Sequence, residues 1–167
     1  MHEFPKKIKT KRAVLQKIAL DDAAGWKSFN NQIAKRMPWP AVPSIVYARN
    51  EILHYEAMWE RGTRYVYSIK WHGKVIGDFH LKSIDKKRKR LEFGHALHPS
   101  VWGTGITYEV LDAIKSIMKK RRLAAWGKVE EENIRSWKSL EKYKAKFIGT
   151  RTLRIDGVKK RMRFYEL

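Results

Sequence analysis

The sequence contains no cysteine. That excludes a disulfide, a thiolate metal site and any enzyme intermediate carried on a protein thiol. Proline is sparse, and Pro38, Pro40 and Pro43 sit together between Met37 and Pro43. They mark one irregular loop, because proline lacks the N–H that regular structure requires. No apolar run approaches the ~20 residues of a membrane-spanning helix. The opening residues, Met1-His2-Glu3-Phe4-Pro5, lack the apolar centre of a secretion signal. A cytoplasmic protein without a membrane partner is therefore expected. Neither an internal repeat nor a linker interrupts the chain. Acidic residues are also scarce: 17 Asp and Glu stand against 37 Lys and Arg, a formal net charge of +20. Charge on this scale bears on partners and solubility, not on fold. It points to a polyanionic cofactor, an acidic substrate, or proximity to nucleic acid or the ribosome.

What is present suits a packed domain. Hydrophobic residues make up 43%, with 7 Trp, 7 Tyr and 6 Phe in 167 residues, enough to build a core rather than remain disordered. One domain over residues 1–167 is expected, with residues 1–11 as a mobile basic arm. Arg12 to Ile18 reads as a strand. Asp21 is placed to cap a helix bearing Ala23, Trp26, Phe29 and Ile33 at helical spacing. A second short helix is expected from about Asn50, holding Leu53, Ala57 and Met58. Strands follow at Tyr65–Trp71 and Lys74–Leu81 around a His72-Gly73 turn. Lys86-Lys87-Arg88-Lys89-Arg90 is too charged to bury and reads as a hairpin tip before a strand at Leu91–His98. Val110, Leu111, Ile114, Ile117 and Met118 form a helical stripe, and Leu123–Val129 a further strand. Asn133 caps a helix through Trp137 and Leu140, and a hairpin turning at Asp156-Gly157 closes the chain. The pattern is α/β, with a mixed, mostly antiparallel sheet of six to seven strands flanked by about four helices.

The feature richest in chemistry is Trp102-Gly103-Thr104-Gly105, between the strand ending at His98 and the helix opening at Ile106. Glycines allow a tight turn with no side chain in the way. The first amides of the helix are then left pointing outward, where the helix dipole favours an anion such as a pyrophosphate. The turn lacks the third glycine of a dinucleotide fingerprint and the Gly-Lys-Ser/Thr of a P-loop. On local chemistry alone it reads equally well as an anion site or as an ordinary helix entry.

Its neighbours add to this. Leu91-Glu92-Phe93-Gly94-His95-Ala96-Leu97, Pro99, the glycine turn and Glu109 together resemble the central motif of the GNAT acetyltransferases. Glu132-Asn133-Ile134-Arg135-Ser136 with Leu140-Glu141-Lys142 resembles a second stretch found in the RimJ/RimL-like branch. Gly77 and the closing Arg163-Phe164-Tyr165-Glu166-Leu167 also fit. Ser100 stands where the branch often has Arg or Gln, and Lys144-Ala145 where Gly-Phe is usual.

The resemblance implies a GNAT-like fold and an acetyl-CoA-dependent N-acetyltransferase with no metal. Trp102, Gly103, Thr104, Gly105, Ile106 and Thr107 would hold the pyrophosphate through backbone amides. The strand edge at Ala96, Leu97 and His98 would pair with the pantetheine arm, and Asn133 would hydrogen-bond the cofactor or simply cap its helix. Amine attack on a thioester needs a proton acceptor and stabilisation of the developing oxyanion. Glu92 is the leading base candidate; its alternative is a solvated strand carboxylate. His95 lies on the opposite face if strand alternation is strict, unless a bulge turns it round, and His98 is a third candidate. Ser136 matches the position expected to assist the leaving thiolate, or else bonds its own helix backbone. Leu140 stands where other branches keep a tyrosine, and Tyr143 lies off that position. The expected acceptor is a primary amine, with a protein N-terminus or lysine favoured over a small amine, an amino sugar or aminoacyl-tRNA. A catalytically silent fold binding RNA or ribosome is the alternative from another class. Either a monomer or a homodimer is compatible with the sequence.

Overall fold

The computed structural model describes residues 4–167. Strands β1 (Lys7–Lys9), β2 (Val14–Lys17), β3 (Tyr65–Trp71), β4 (Lys74–Asp85) and β5 (Arg90–Leu97) form an antiparallel run. Strand β6 (Ala124–Glu130) joins β5 in parallel, and β7 (Lys146–Ile155) and β8 (Val158–Glu166) complete the sheet. The order is β1-β2-β3-β4-β5-β6-β8-β7. Helices α1 (Ala23–Ala34) and α2 (Ile45–Glu60) precede β3; α3 (Ile106–Arg121) makes the crossover from β5 to β6, and α4 (Ile134–Lys142) links β6 to β7. A parallel neighbour requires such a crossover, since a hairpin joins only antiparallel strands.

Alternation along the central strands sorts the side chains onto two faces. Tyr67, Ile69, Phe79, Leu81, Leu91 and Phe93 pack beneath α3, which buries Ile106, Val110, Leu111, Ile114 and Met118 against them. Each such side chain contributes roughly 1.5–3 kcal/mol by leaving water. On the other face Val66 meets Trp26, Phe29 and Ile33 of α1 and Ile52 of α2. The same phase of β4 and β5 carries Asp78, His80 and Lys82, with Ala96, Gly94 and Glu92 respectively opposite them in register. The sheet thereby presents polar groups toward α1.

Several expectations need correction. The sheet has eight strands among the described residues, because part of the supposed mobile arm is built in. From Phe4 onward residues 4–11 are tied down: Phe4 packs at a tilt against Tyr65, Ile8 is buried, and Lys7–Lys9 pairs with β2. Met1 to Glu3 of that arm lie outside the described residues. Helix α2 starts at Ile45, not near Asn50, because Ser44 caps it by accepting the Tyr47 amide at 3.0 Å. Its buried residues are Ala48, Ile52 and Trp59, while Leu53 is exposed. The cap residue of α1 is Asp22 rather than Asp21, and its carboxylate is spent on Ser68 and Lys70. No helix among the described residues is long and apolar enough to cross a membrane.

Candidate active site

Strands β5 and β6 are in register only from Arg90/Ala124 to Glu92/Trp126. Beyond that point they separate: β6 continues on β8, and the β5 edge from Phe93 to Leu97 faces no strand on that side. Unpaired edge amides and carbonyls of this kind are ready to pair with an extended, amide-bearing ligand. A cavity of about 740 Å³ opens over the gap, its wall including Glu92, Gly94, His95, Ala96, Lys128, Asn133 and Ser136.

The glycine turn adjoins one end. Gly103 and Gly105 adopt φ of 78° and 85°, a left-handed conformation that costs other residues about 1–2 kcal/mol. Among the described residues, the amides of Gly103, Gly105 and Thr107 have no backbone acceptor. Space above Gly103 is open. Two guanidinium groups flank the turn. Arg12 donates to the Thr104 carbonyl at 2.8 Å and is gripped by Glu109, which also takes the Thr10 hydroxyl. Arg135 lies 3.9 Å above the Trp102 ring, a cation–π stack that joins the first turn of α4 to the glycine turn. Sequence reading missed both arginines: each is remote in the chain from the turn it serves. Leu97 accepts the Trp102 indole N–H through its carbonyl, and His98 caps the short turn at Pro99–Val101 by accepting the Ser100 amide. Leu97 and His98 thus shape the turn, and neither they nor Trp102, Gly103, Thr104, Gly105, Ile106 and Thr107 are part of the cavity wall, which the turn adjoins.

In the middle of the cavity, Glu92 is buried and already engaged. Its carboxylate accepts the Ser83 hydroxyl at 2.9 Å, with the Lys82 and Lys128 ammonium groups at 3.4 and 3.6 Å. It is not the solvated strand carboxylate of the alternative reading. No bulge interrupts β5 between Glu92 and Leu97, so His95 alternates to the face opposite Glu92 and borders the cavity only where β5 and β6 part. Its ring stacks on Phe79 and Phe93, and burial among them pushes its pKa down to about 4. Asn133 caps α4, accepting the Ser136 amide at 3.3 Å. The Ser136 hydroxyl lines the cavity and has no hydrogen-bond partner among the described residues. Tyr143 points away: it donates to Asp112 and stacks on Tyr108, while Leu140 occupies the cavity side of α4.

The far end of the cavity holds a constellation that sequence reading did not identify. Asp78 accepts the Trp26 indole N–H at 3.0 Å and lies 3.2 Å from His80 Nε2. His80 Nδ1 is 2.8 Å from an Arg64 nitrogen. Arginine can only donate, so Nδ1 accepts and the ring hydrogen sits on Nε2, facing Asp78. Tyr55 meets His80 edge-on, with Arg64 over its other side. Burial drives the Tyr55 hydroxyl pKa well above its usual value. The available signal was periodicity: Asp78, His80 and Lys82 are polar at alternate positions of an otherwise apolar strand. Trp39, from the proline loop, stands exposed on the same wall.

A family model for the acetyltransferase (GNAT) domain matches residues 12–146. The chain belongs to the GNAT acetyltransferase family. No curated protein matches the sequence significantly. Solved structures sharing the GNAT fold include a RimL ribosomal L7/L12 alpha-N-protein acetyltransferase in complex with coenzyme A, at 17% identity and TM-score 0.85, covering 96% of this chain and 97% of that one. The microcin C7 self-immunity acetyltransferase MccE, in complex with acetyl-CoA and AMP, matches at 21% identity and TM-score 0.87, covering 98% and 97%. Mycobacterium smegmatis RimJ, in complex with CoA-disulfide, matches at 17% identity and TM-score 0.86, covering 100% and 90%.

The local departures from the GNAT pattern have structural counterparts. Lys144, where glycine is usual, adopts φ of 65°. It follows α4 in the left-handed position that closes a helix, with Ala145 donating back to the Leu140 carbonyl. The backbone thus keeps the conformation that the missing glycine would favour. Part of the basic charge is spent in surface ion pairs. Lys160, Arg161 and Arg163 pair with Glu130, Glu131 and Glu141, whereas Lys86, Lys87 and Lys89 remain exposed at the β4–β5 tip.

Proposed function

We propose that this GNAT acetyltransferase moves the acetyl group of acetyl-CoA to a primary amine by direct attack in a ternary complex. The observation that carries the reading is the separation of β5 from β6 beside a turn with outward-facing amides. The unpaired edge suits the amide-bearing pantetheine arm. The amides of Gly103, Gly105 and Thr107, at the start of α3, suit a pyrophosphate, with Arg12 and Arg135 adding charge. Arg12 and Arg135 lie near enough to supply cations that Ser100 cannot.

Acetyl transfer then needs few protein groups. The amine nitrogen, having lost one proton, bonds to the acetyl carbon while an unpaired amide of β5 donates to the carbonyl oxygen. The carbon–sulfur bond breaks, and the Ser136 hydroxyl is placed to donate toward the departing sulfur and recover a proton from the new amide nitrogen. Glu92 receives the amine proton through water, since Ser83, Lys82 and Lys128 already surround its oxygens. With no cysteine, the acetyl group is never held on a protein thiol. A protein N-terminus or lysine is the favoured acceptor, because the RimL neighbour acts on a ribosomal protein. The MccE neighbour with bound AMP supports a nucleotide-linked amine as the second reading.

Calorimetry with acetyl-CoA and thiol release in the presence of acceptors test this. Saturable binding and thiol release with peptides bearing a free α-amine are the expected results. Failure to bind any acyl-CoA overturns the proposal. RNA affinity that falls steeply with salt, without thiol release, assigns the fold to binding instead.

A further inference from the structure

We infer that Asp78 is the seat of the acceptor's ammonium group, in a recess walled by Trp26, Tyr55 and His80. The inference rests on the acetyltransferase reading and locates its second substrate. Asp78 is buried, with 6% of its surface exposed. Both recorded contacts, from the Trp26 indole and from His80, converge on Oδ2. Among the described residues Oδ1 has no hydrogen-bond partner, and it is not among the side-chain atoms sealed from solvent without one. The carboxylate is therefore anchored through one oxygen and open through the other, on the cavity wall.

The surroundings select for a cation at that oxygen. A buried carboxylate is stable only when paired or hydrogen-bonded, and an alkylammonium offers three donors. The Trp26 and Tyr55 rings, packed edge-to-face with centroids 6.2 Å apart, wall the recess with aromatic surface. Arg64, on the same wall, is held on the His80 ring and over Tyr55, and among the described residues it makes no hydrogen bond or ion pair to Asp78. The position suits transfer: Asp78 pairs in register with Ala96, and His80 with Gly94, on the stretch of β5 left without a β6 partner. An amine on Asp78 thus faces the strand proposed to hold the thioester. Local acidity of this kind admits an amine to a protein of formal net charge +20.

The probe is n-butylammonium, read by the NMR resonance of the Trp26 indole N–H, which Trp26→Phe identifies by its disappearance. Titration is expected to shift that resonance in the wild type, whereas butanol at equal concentration leaves it in place. Asp78→Asn preserves size and an acceptor for the indole, and is expected to weaken the butylammonium response at least tenfold. Its acetyl-CoA affinity should change by less than twofold, and KM for butylamine should rise. An absent shift in the wild type, an equal response to butanol, or an unaltered response in Asp78→Asn overturns the assignment. The butanol comparison needs no variant, so it decides the matter if Asp78→Asn does not fold. Failure of acetyl-CoA to bind sinks the acetyltransferase reading and leaves the amine titration standing. Thiol release with unchanged butylamine KM in Asp78→Asn sinks the seat alone.

Discussion

The glycine turn beside the cavity and the Asp78 end within it are made of different material. At the glycine turn the available donors are backbone amides, and side chains enter only as flanking arginines. At the Asp78 end the groups are side chains drawn from α1, α2, β4 and, through Arg64, the turn between α2 and β3, each held by another. A backbone site needs only that the turn, the strand separation and the helix start persist, so it survives wide change in sequence. That accords with a shared fold at 17–21% identity. A side-chain site depends on which residues stand at a few positions, so the acceptor of one relative does not transfer to another.

The contrast is broken most forcefully at Gly105. Gly105→Val puts a branched side chain at φ of 85°, with its Cβ 3.4 Å from Arg12. Strain of a few kcal/mol in the turn corresponds to a loss of about 100-fold in acetyl-CoA affinity, to be measured by calorimetry. Glu92→Gln probes the boundary between the ends. It is expected to lower kcat by about tenfold while leaving acetyl-CoA affinity within twofold; unchanged turnover removes Glu92 from the chemistry. Arg135→Ala tests how far side chains matter at the donor end. Losing one exposed cation should weaken acetyl-CoA binding by about fivefold, or roughly 1 kcal/mol, with KM for the amine unaltered.

His95 separates stability from catalysis. Its folded pKa of about 4 lies below the ordinary 6.5. Between those values the unfolded chain takes up a proton that the folded chain refuses, so stability falls as pH drops through this window. The slope is at most about 1.4 kcal/mol per pH unit, and partial exposure of the ring reduces it. His95→Phe should flatten thermal denaturation against pH from 6.5 to 4, with kcat kept. A large kcat loss returns His95 to the active site. The smallest effect is expected at Lys144, where φ of 65° suits glycine. Lys144→Gly should raise stability by up to about 1 kcal/mol, read as a small increase in Tm.

Much of this was legible in sequence because it rests on local rules. Periodicity located α3, and charge alone exposed the tip at Lys86–Arg90. Two glycines between a strand and an amphipathic helix fixed where the amides would point. Local rules failed where a residue's partner is distant. Ser44 was overlooked as a cap because a proline-rich loop precedes it. Lys7–Lys9 read as a loose arm, since only the fold shows Phe4 on Tyr65 and Ile8 beneath the sheet. Glu92 was singled out as a base candidate on β5, but its burial and its lysine partners, Lys82 and Lys128, come from neighbouring strands.

The sequence by itself determined the family, the order of nearly all elements and the place of the glycine turn. Each of these depends on residues close together in the chain. Tertiary structure alone decided which side chains meet: Arg12 on the turn, Arg135 on Trp102, Trp26 and His80 on Asp78, and Arg64 on His80. The reason is geometric. Strand alternation gives a residue its face, but the helix packed over that face selects its partner, and Trp26 lies 52 residues from Asp78.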